Sequence, residues 1–297
     1  MIGSENVEKF IQQLINGLHV GSIYALIALG YTMVYGIIQL INFAHGDILM
    51  IGAFSAYFLI GSGIPIWLVI IISVLLCVLV GVIIEKFAYK PLREAPRISA
   101  LITAIAVSLF LENLFMVLFK PDPRPFPQTW DIPSLNIGGL QIEGITIVTI
   151  VISVILMIAL EIFVNKTKNG KAMKATSQDA QASTLMGINI NKTISVTFAI
   201  GSGLAAVGGI LYSMAYPLID PYMGMMPGLK AFVAAVLGGI GIIPGAMLGG
   251  VVMGIAESMT KSYISSQLSD AVVFGILIIV LLVKPSGIFG KNTREKV

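Results

Sequence analysis

The sequence predicts an all-α integral membrane protein: a polytopic helical bundle of about eight hydrophobic segments, two of them broken or re-entrant. Of its 297 residues, 57% are hydrophobic and only 11% are charged, and the mean hydropathy is +0.95. The apolar runs are continuous, whereas the strands of a transmembrane β-barrel alternate apolar and polar residues. Continuous runs of this kind are typical of helices that cross a bilayer.

The hydrophobic segments follow one another along the whole chain, so we treat residues 1–297 as a single transmembrane domain. The segments cover residues 10–35, 48–60, 65–84, 99–119, 144–164, 193–216, 229–257 and 271–283. Two of them carry a small residue at every fourth position: Gly17, Gly21 and Ala25, and Gly201, Ala205 and Gly209. Because small side chains let two helices approach closely, we expect both faces to be packing surfaces.

The loops predict how the chain is oriented. Residues 85–97, residues 165–192 and the tail with Lys284, Lys291, Arg294 and Lys296 are basic, and basic loops stay on the cytoplasmic side. Residues 120–143 hold five prolines and balanced charge, so we expect them outside the cell and not helical. This arrangement puts the N-terminus outside and requires 229–257 to enter and leave the membrane on the external side.

Two hydrophobic segments are interrupted, one in each half of the chain. Residues 37–47 read IIQLINFAHGD, and residues 237–245 read LGGIGIIPG, where two half-length helices would meet. Interrupted segments in corresponding halves indicate a transport pathway. The predicted pathway residues are Asn42, His45, Gly46, Asp47, Gly238, Gly239, Gly241, Pro244 and Gly245. The alternative for His45 and Asp47 is that they only satisfy backbone groups freed by the break.

The long polar loop 165–192 carries five lysines and one acid, Asp179. Its alanines favour a helix over Met173–Met186, with Gly187 placed as a C-cap glycine. A short helix held at the membrane face is well placed to be displaced by a soluble partner that binds it. The alternative is an ordinary basic loop that only sets the topology.

Other functional classes find little support. The two histidines, His19 and His45, and the single cysteine, Cys77, form no metal-binding or catalytic pattern, and no phosphate-binding glycine loop is present. We therefore expect no enzyme activity, no metal and no cofactor in this chain, and an energy source outside it. The net charge of +3 is concentrated in loops, which favours membrane orientation over nucleic-acid binding. Lys230 and Glu257 are expected near the membrane interface, and Trp67 and Tyr89 as interfacial anchors.

Three stretches resemble the permease subunits of bacterial branched-chain amino acid ABC importers. They are GSIYALIALGYTMVYGIIQLINFAHGDILMIGAF at 21–54, SALITAIAVSLFLENL at 99–114 and KAFVAAVLGGIGIIPGAMLGGVVMGIAES at 230–258. The motifs NFAHGD and LGGIGIIPGA are specific, and the chain's length resembles the shorter of the two sister permeases of such systems.

The resemblance implies partners and a location. It implies a bacterial inner membrane complex with a sister permease, two cytoplasmic ATPase subunits that bind ATP, and an extracellular or periplasmic amino-acid-binding protein. Loop 165–192 would be the coupling segment, although it lacks the glutamate-alanine-alanine signature of many importers. The implied coupling positions are Gly170, Ala175, Asp179, Ala182, Gly187 and Ile188.

The function implied by the resemblance is translocation of leucine, isoleucine and valine into the cytoplasm after delivery by the binding protein. Related permeases carry urea, short amides or other small solutes, so the substrate stays open. A secondary transporter that uses Asp47, Glu112 or Glu257 as a proton or sodium site is a rival hypothesis. A channel-like membrane protein is a third.

Overall fold

The computed structural model describes residues 2–93, 95–128, 132–137 and 139–290. Its α-helices are α1 Ile2–Ile38, α2 His45–Gly61, α3 Ile66–Ile84, α4 Arg97–Phe119, α5 Gly144–Lys166, α6 Lys168–Gln178, α7 Ala180–Leu185, α8 Ile190–Ala215, α9 Met225–Gly238, α10 Ile243–Tyr263 and α11 Ser269–Val283. A π-helical turn, Glu85–Tyr89, and a 3₁₀ turn, Lys90–Leu92, follow α3. Short strands are β1 Arg124–Pro125, β2 Leu135–Ile137, β3 Leu140–Ile142 and β4 Leu218–Ile219. Strand β1 pairs with β4 and β2 with β3, both antiparallel.

The helices confirm the predicted polytopic bundle. Within the described residues, six helices are long and apolar enough to cross a membrane: α1, α3 with the turns that follow it, α4, α5, α8 and α10. Helices α2, α9 and α11 are apolar but shorter. Helix α1 runs through the centre, where Ile23 to Leu29 are almost fully buried. Helices α3, α4 and α5 expose many large apolar side chains, as expected of surfaces that face lipid.

The small-residue face on α1 packs against glycines of α10, as expected for close helix contact. A Cβ added to Gly17 would lie 2.7 Å from the Ile255 Cα, and one added to Gly21 would lie 2.9 Å from the Val251 Cα. From the other side, Gly250 meets the backbone of Ala25. The two helices therefore lie antiparallel and too close for larger side chains between them.

The second small-residue face, on α8, is also a packing surface. Gly201 faces the backbone of Gly30 on α1, and Gly209 lies directly against the backbone of Leu49 on α2. Ala205, between the two glycines, is fully buried. Helix α8 thus joins α1 and α2 into one core.

The connecting segments fall into two groups at opposite ends of α1. Near its N-terminal end, Gln12 donates to the Gln141 carbonyl in β3, at 2.9 Å. Near its C-terminal end, Gln39 accepts from Arg97, and Arg93 donates to Asn191 in the long polar loop. The predicted grouping therefore holds: 85–97 and 165–192 share one end, and 120–143 lies at the other. No described residue of 120–143 is helical. The tail residues Lys291, Arg294 and Lys296 lie outside the described residues.

Both interruptions are shorter than predicted. The first comprises residues 39–44, because His45, Gly46 and Asp47 form the first turn of α2. A helix start accommodates polar residues, since its first N–H groups have no partner within the helix. The second comprises residues 239–242. Only α9, with 14 residues, is short there; α10 has 21, because Pro244 in its first turn begins a helix instead of breaking one.

The single helix predicted over Met173–Met186 is wrong. The loop forms α6 and α7, which are separated by Asp179 in an extended conformation. The Asp179 carboxylate accepts a hydrogen bond from the Ala182 N–H at 2.8 Å, so it starts a new helix instead of continuing the old one. The C-cap prediction is confirmed: Gly187 has φ +81° and its N–H donates to the Thr184 carbonyl.

Candidate translocation site and coupling loop

The first interruption is anchored at both ends. Gln39 adopts φ +52°, a left-handed conformation that is uncommon for a residue other than glycine. Its N–H still bonds the Tyr35 carbonyl at 2.8 Å. The Asn42 amide oxygen accepts from the Tyr89 hydroxyl at 2.9 Å, and both side chains are buried. Tyr89 is therefore an interior residue and not the predicted interfacial anchor, because its hydroxyl finds a partner inside.

The first turn of α2 lies in the core of the protein. The His45 ring meets the Tyr31 ring edge-on at 4.6 Å between centroids. The His45 ring also lies directly beside Gly30, so a Cβ added to Gly30 would overlap the ring. Gly46 packs against the Gly224 carbonyl, and a Cβ there would lie 2.6 Å from that oxygen. Asp47 is buried, and its Oδ2 has no hydrogen-bond partner.

The second interruption is held by the C-terminal segment. Gly239 and Gly241 adopt φ +105° and +91°, a region that favours glycine. The Ile288 and Phe289 N–H groups donate to the Leu237 and Gly238 carbonyls, at 2.8 and 3.1 Å. These bonds satisfy carbonyl groups that the end of α9 leaves free.

Each interruption contacts a helix that flanks the other one. A Cβ on Gly36 would lie 3.3 Å from the Gly241 Cα, and the rings of Phe43 and Phe232 are 6.1 Å apart. A cavity of about 250 Å³ opens here between α1, α5, α6 and the start of α10. Gly241 and Pro244 line it.

A larger cavity, of about 980 Å³, lies near the N-terminal end of α1. Helices α1, α5, α8 and α10 and the strand β3 surround it. Its lining reaches His19 and Thr146, which contact each other at 3.2 Å. Among the residues that the structure describes, Asn42, His45, Gly46 and Asp47 line neither this cavity nor the 250 Å³ one.

A cluster of four charges joins α9, α10 and α11 beside the large cavity. The Glu257 carboxylate accepts from Lys230 at 2.9 Å, from Lys261 at 2.6 Å and from the Tyr24 hydroxyl at 2.8 Å. Lys230 also pairs with Asp270, at 2.7 Å. Glu257 is only 2% exposed. Lys230 and Glu257 are therefore partners in a buried ion pair.

The long polar loop is fixed to the bundle through α6. Gly170 packs against the carbonyls of Phe163 and Val164 at the end of α5. The Thr167 hydroxyl caps α6 by accepting from the Gly170 N–H at 3.1 Å. Met173 is buried, and Lys174 donates to Asn165. Helix α6 also lines the 250 Å³ cavity, through Met173, Lys174 and Ser177.

The predicted coupling residues divide between the inner and the outer side of this loop. Gly170 is buried and Ala175 and Ile188 are half-buried, whereas Asp179, Ala182 and Gly187 are exposed. The exposed three lie on or next to α7, which projects from the bundle.

A second set of contacts connects the segment after α3 with the start of α8, at the end of the bundle that carries the basic loops. Glu85, fully buried after α3, pairs with Arg93 and accepts from the Ser195 hydroxyl at 2.7 Å. Arg93 also donates to Asn191 at 2.6 Å. These contacts therefore connect the loop 85–97 to the start of helix α8, next to the loop 165–192.

The sequence itself is similar to a group of transport proteins. The profile of the family described as branched-chain amino acid transport system, permease component, matches residues 13–281. The chain belongs to this family. It is 42% identical over 308 residues to the high-affinity branched-chain amino acid transport system permease protein LivH of Escherichia coli, an alignment that covers 99% of this chain and 100% of LivH.

Other relatives of this permease support the same assignment. The permease protein BraD of Pseudomonas aeruginosa is 42% identical over 98% of this chain and 99% of its own length. The ribose import permease protein RbsC of Haemophilus influenzae is 26% identical over 84% of the chain and 77% of its own length. No solved structure matches the permease significantly. It is a multi-pass membrane protein, and its relatives are transport permeases and not enzymes.

Reasoning from the permease sequence missed two exposed apolar residues. Leu185 and Met186, at the tip of α7, are 89% and 83% exposed. They lie within the long polar loop 165–192, at the end of the bundle that carries the other basic segments. A signal was available, because two large apolar residues stand directly before a C-cap glycine in an otherwise polar stretch.

Proposed function

We propose that this permease carries leucine, isoleucine and valine across the bacterial inner membrane as a subunit of an ATP-driven importer. The observation that carries the proposal is the 42% identity over essentially the whole of both chains to permeases named for that transport. The proposed partners are a sister permease, two ATPase subunits that bind ATP, and an amino-acid-binding protein outside the membrane. The permease itself needs no cofactor.

The proposed orientation follows from charge. The end of the bundle that carries 85–97, 165–192 and Lys284 is basic and faces the cytoplasm. The N-terminal end of α1, the segment 120–143 and the 980 Å³ cavity then face outward, toward the binding protein.

In the proposed coupling mechanism, α7 contacts the ATPase and α6 transmits the movement of α7 to α5. Leu185 and Met186 would insert into an apolar groove of the ATPase, with Asp179 and Ala182 beside them. When ATP closes the ATPase dimer, α7 moves, and α6 moves the end of α5 through the Gly170 contact. The glycines at 239 and 241 provide a hinge between α9 and α10, so that access alternates between the two faces.

Replacing Asp179 tests the coupling role. We expect Asp179→Lys to reduce leucine uptake by about tenfold or more, because it removes the cap of α7 and reverses the charge at the contact. The amount of permease in the membrane should not change, since Asp179 is exposed. The measurements are radiolabelled leucine uptake and stimulation of ATPase activity by the binding protein in the complete importer.

Two further variants separate the cap from the charge. Asp179→Asn keeps a capping oxygen and should retain most uptake if the cap matters, whereas it should resemble Asp179→Lys if the charge matters. Asn189 caps α8 in the same way, through the Lys192 N–H, so Asn189→Ala controls for the loss of a cap as such. Wild-type uptake by Asp179→Lys would contradict the docking role.

Uptake in cells that lack this gene tests the function itself. Restoring the permease should restore uptake of radiolabelled leucine, and ATP depletion should abolish that uptake while a protonophore leaves it intact. Loss with the protonophore at high ATP would contradict the ATP-driven mechanism and favour ion coupling. If leucine uptake is not restored, the branched-chain assignment is wrong, and urea and short amides are tested next.

A further inference from the structure

Helix α4 packs against the rest of the subunit along one narrow face. Its buried residues are Ala100, Ala104, Leu111 and Glu112. Near the segment 120–143, the ring of Phe119 packs against the rings of Phe54 and Phe58 in α2. The other sides of α4 carry large exposed apolar side chains. Most of this helix is therefore left uncovered by its own subunit.

The uncovered side of α4 is not uniformly apolar, because Asn113 lies exposed within the span. Ala104 and Asn113 are nine residues apart, which is about two and a half turns of an α-helix. Asn113 therefore lies on the side of the helix opposite the packed face. Four further exposed residues share that side at spacings of three or four residues: Ile102, Ala106, Leu109 and Val117.

The Asn113 carboxamide finds few partners in this subunit. Its Nδ2 donates to the Leu109 carbonyl of the same helix at 2.7 Å, and it makes no other hydrogen bond with the described residues. A carboxamide has a second N–H and a carbonyl oxygen that also need partners. Lipid tails offer none, so an amide that faces them is costly. Lipid accounts for the apolar side chains on this side of α4 but not for Asn113 among them.

A helix of another membrane protein supplies what lipid lacks, because Asn side chains hydrogen-bond between neighbouring helices in a membrane. Of the proposed partners, the ATPase subunits lie in the cytoplasm and the binding protein lies outside. Only the sister permease has residues at the depth of Asn113. Ala106, on the same side of α4, is small enough to let a partner helix approach closely.

We infer that the exposed face of α4 is the docking surface for the sister permease. The face consists of Ile102, Ala106, Leu109, Asn113 and Val117. A helix of the sister permease packs its apolar side chains against this face and places a hydrogen-bonding group opposite Asn113. The inference rests on the proposed function, which supplies the sister permease, and adds where on this chain it binds.

Photo-crosslinking in the assembled importer tests this contact. The photoreactive residue p-benzoylphenylalanine replaces Asn113 in one variant and Val151 in a control. Val151 is exposed on α5 and, like Asn113, lies toward the end of its helix that adjoins the segment 120–143. The two permeases carry different tags and are irradiated in membranes. We expect position 113 to give at least about tenfold more product containing both permeases than position 151, because only a close helix contact brings the probe within reach.

The identity of the product decides the outcome. Equal yields from the two positions would overturn the inference, because the sister permease would then not prefer α4. A product that joins position 113 only to lipid, to an ATPase, to the binding protein or to a second copy of this chain would also overturn it.

An oversized side chain on the same face provides a second readout. Ala106→Trp is compared with Ala159→Trp on α5, because both alanines are exposed in the middle part of a long apolar helix. Ala106→Trp should reduce the amount of sister permease that copurifies by about fivefold or more, because the larger side chain holds the two helices apart. Ala159→Trp should leave that amount unchanged. Expressed alone, both variants should reach the membrane in wild-type amounts, since neither side chain enters the core.

The two readouts separate this inference from the proposed function. Normal copurification of the sister permease with Ala106→Trp would overturn the inference while wild-type leucine uptake stays ATP-driven. If the wild-type chain carries no leucine or copurifies with no sister permease, the proposed function itself fails.

Discussion

The Glu257→Met variant is expected to be severely destabilised. Glu257 is buried and accepts hydrogen bonds from Lys230, Lys261 and Tyr24, so its loss leaves a buried positive charge without full compensation. Removing one member of a buried ion pair costs about 3–5 kcal/mol. We expect little assembled importer and a large fall in the melting temperature of whatever can be purified in detergent.

The other charges of the cluster provide the controls. Lys230→Met combined with Glu257→Met leaves Lys261 and Asp270, whose charges balance, so the double variant should be more stable than Glu257→Met alone. Lys261 is 39% exposed at its side chain, and Lys261→Met should have a small effect because water compensates the remaining charge. A melting temperature of Glu257→Met close to that of the wild type would show that the ion pair does not hold α9, α10 and α11 together.

The Gly254→Ala variant should also be destabilised and should transport less leucine. A Cβ there would lie 2.5 Å from the Gly17 carbonyl oxygen and closer still to the backbone of Gly21. Backbone atoms of α1 cannot move aside as a side chain can, so α1 and α10 must separate. Overpacking costs about 1–3 kcal/mol or more. The melting temperature and leucine uptake should both fall.

Gly275 on α11 is the matched control for Gly254. A Cβ on Gly275 would have no atom within 4 Å. Because alanine is favoured over glycine in a helix by about 0.5–1 kcal/mol, Gly275→Ala should be neutral or slightly stabilising. If both variants behave alike, the close approach of α1 and α10 contributes nothing measurable.

Much of the fold follows from patterns that are local in the sequence. Hydropathy predicts the spans, because a helix in a bilayer must be apolar over its own length. The four-residue spacing of Gly17, Gly21 and Ala25 predicts a close contact, because small residues on one helical face always permit one. Gly187 predicts the end of α7 since a left-handed residue is needed there. The membership of the family likewise rests on sequence alone.

Two sequence predictions about the site gave the wrong segment boundaries, those of the first interruption and of the helix in the polar loop, and each error has a physical reason. The polar residues 45–47 suggested a break, yet a helix tolerates them in its first turn. The alanines of the polar loop suggested one helix, yet the Asp179 side chain competes for the backbone and begins a second. Whether Asn42, His45 and the interruption glycines line the substrate pathway stays a prediction.

The sequence by itself determined the family, the apolar segments that form the long helices, the faces that pack closely and the loops that share one end of the bundle. Only the tertiary structure decided which partners meet: α10 against α1, Glu257 with Lys230, and Tyr89 with Asn42. The reason is that hydropathy and capping act within one turn or one span, whereas pairing and burial depend on residues brought together from distant parts of the chain.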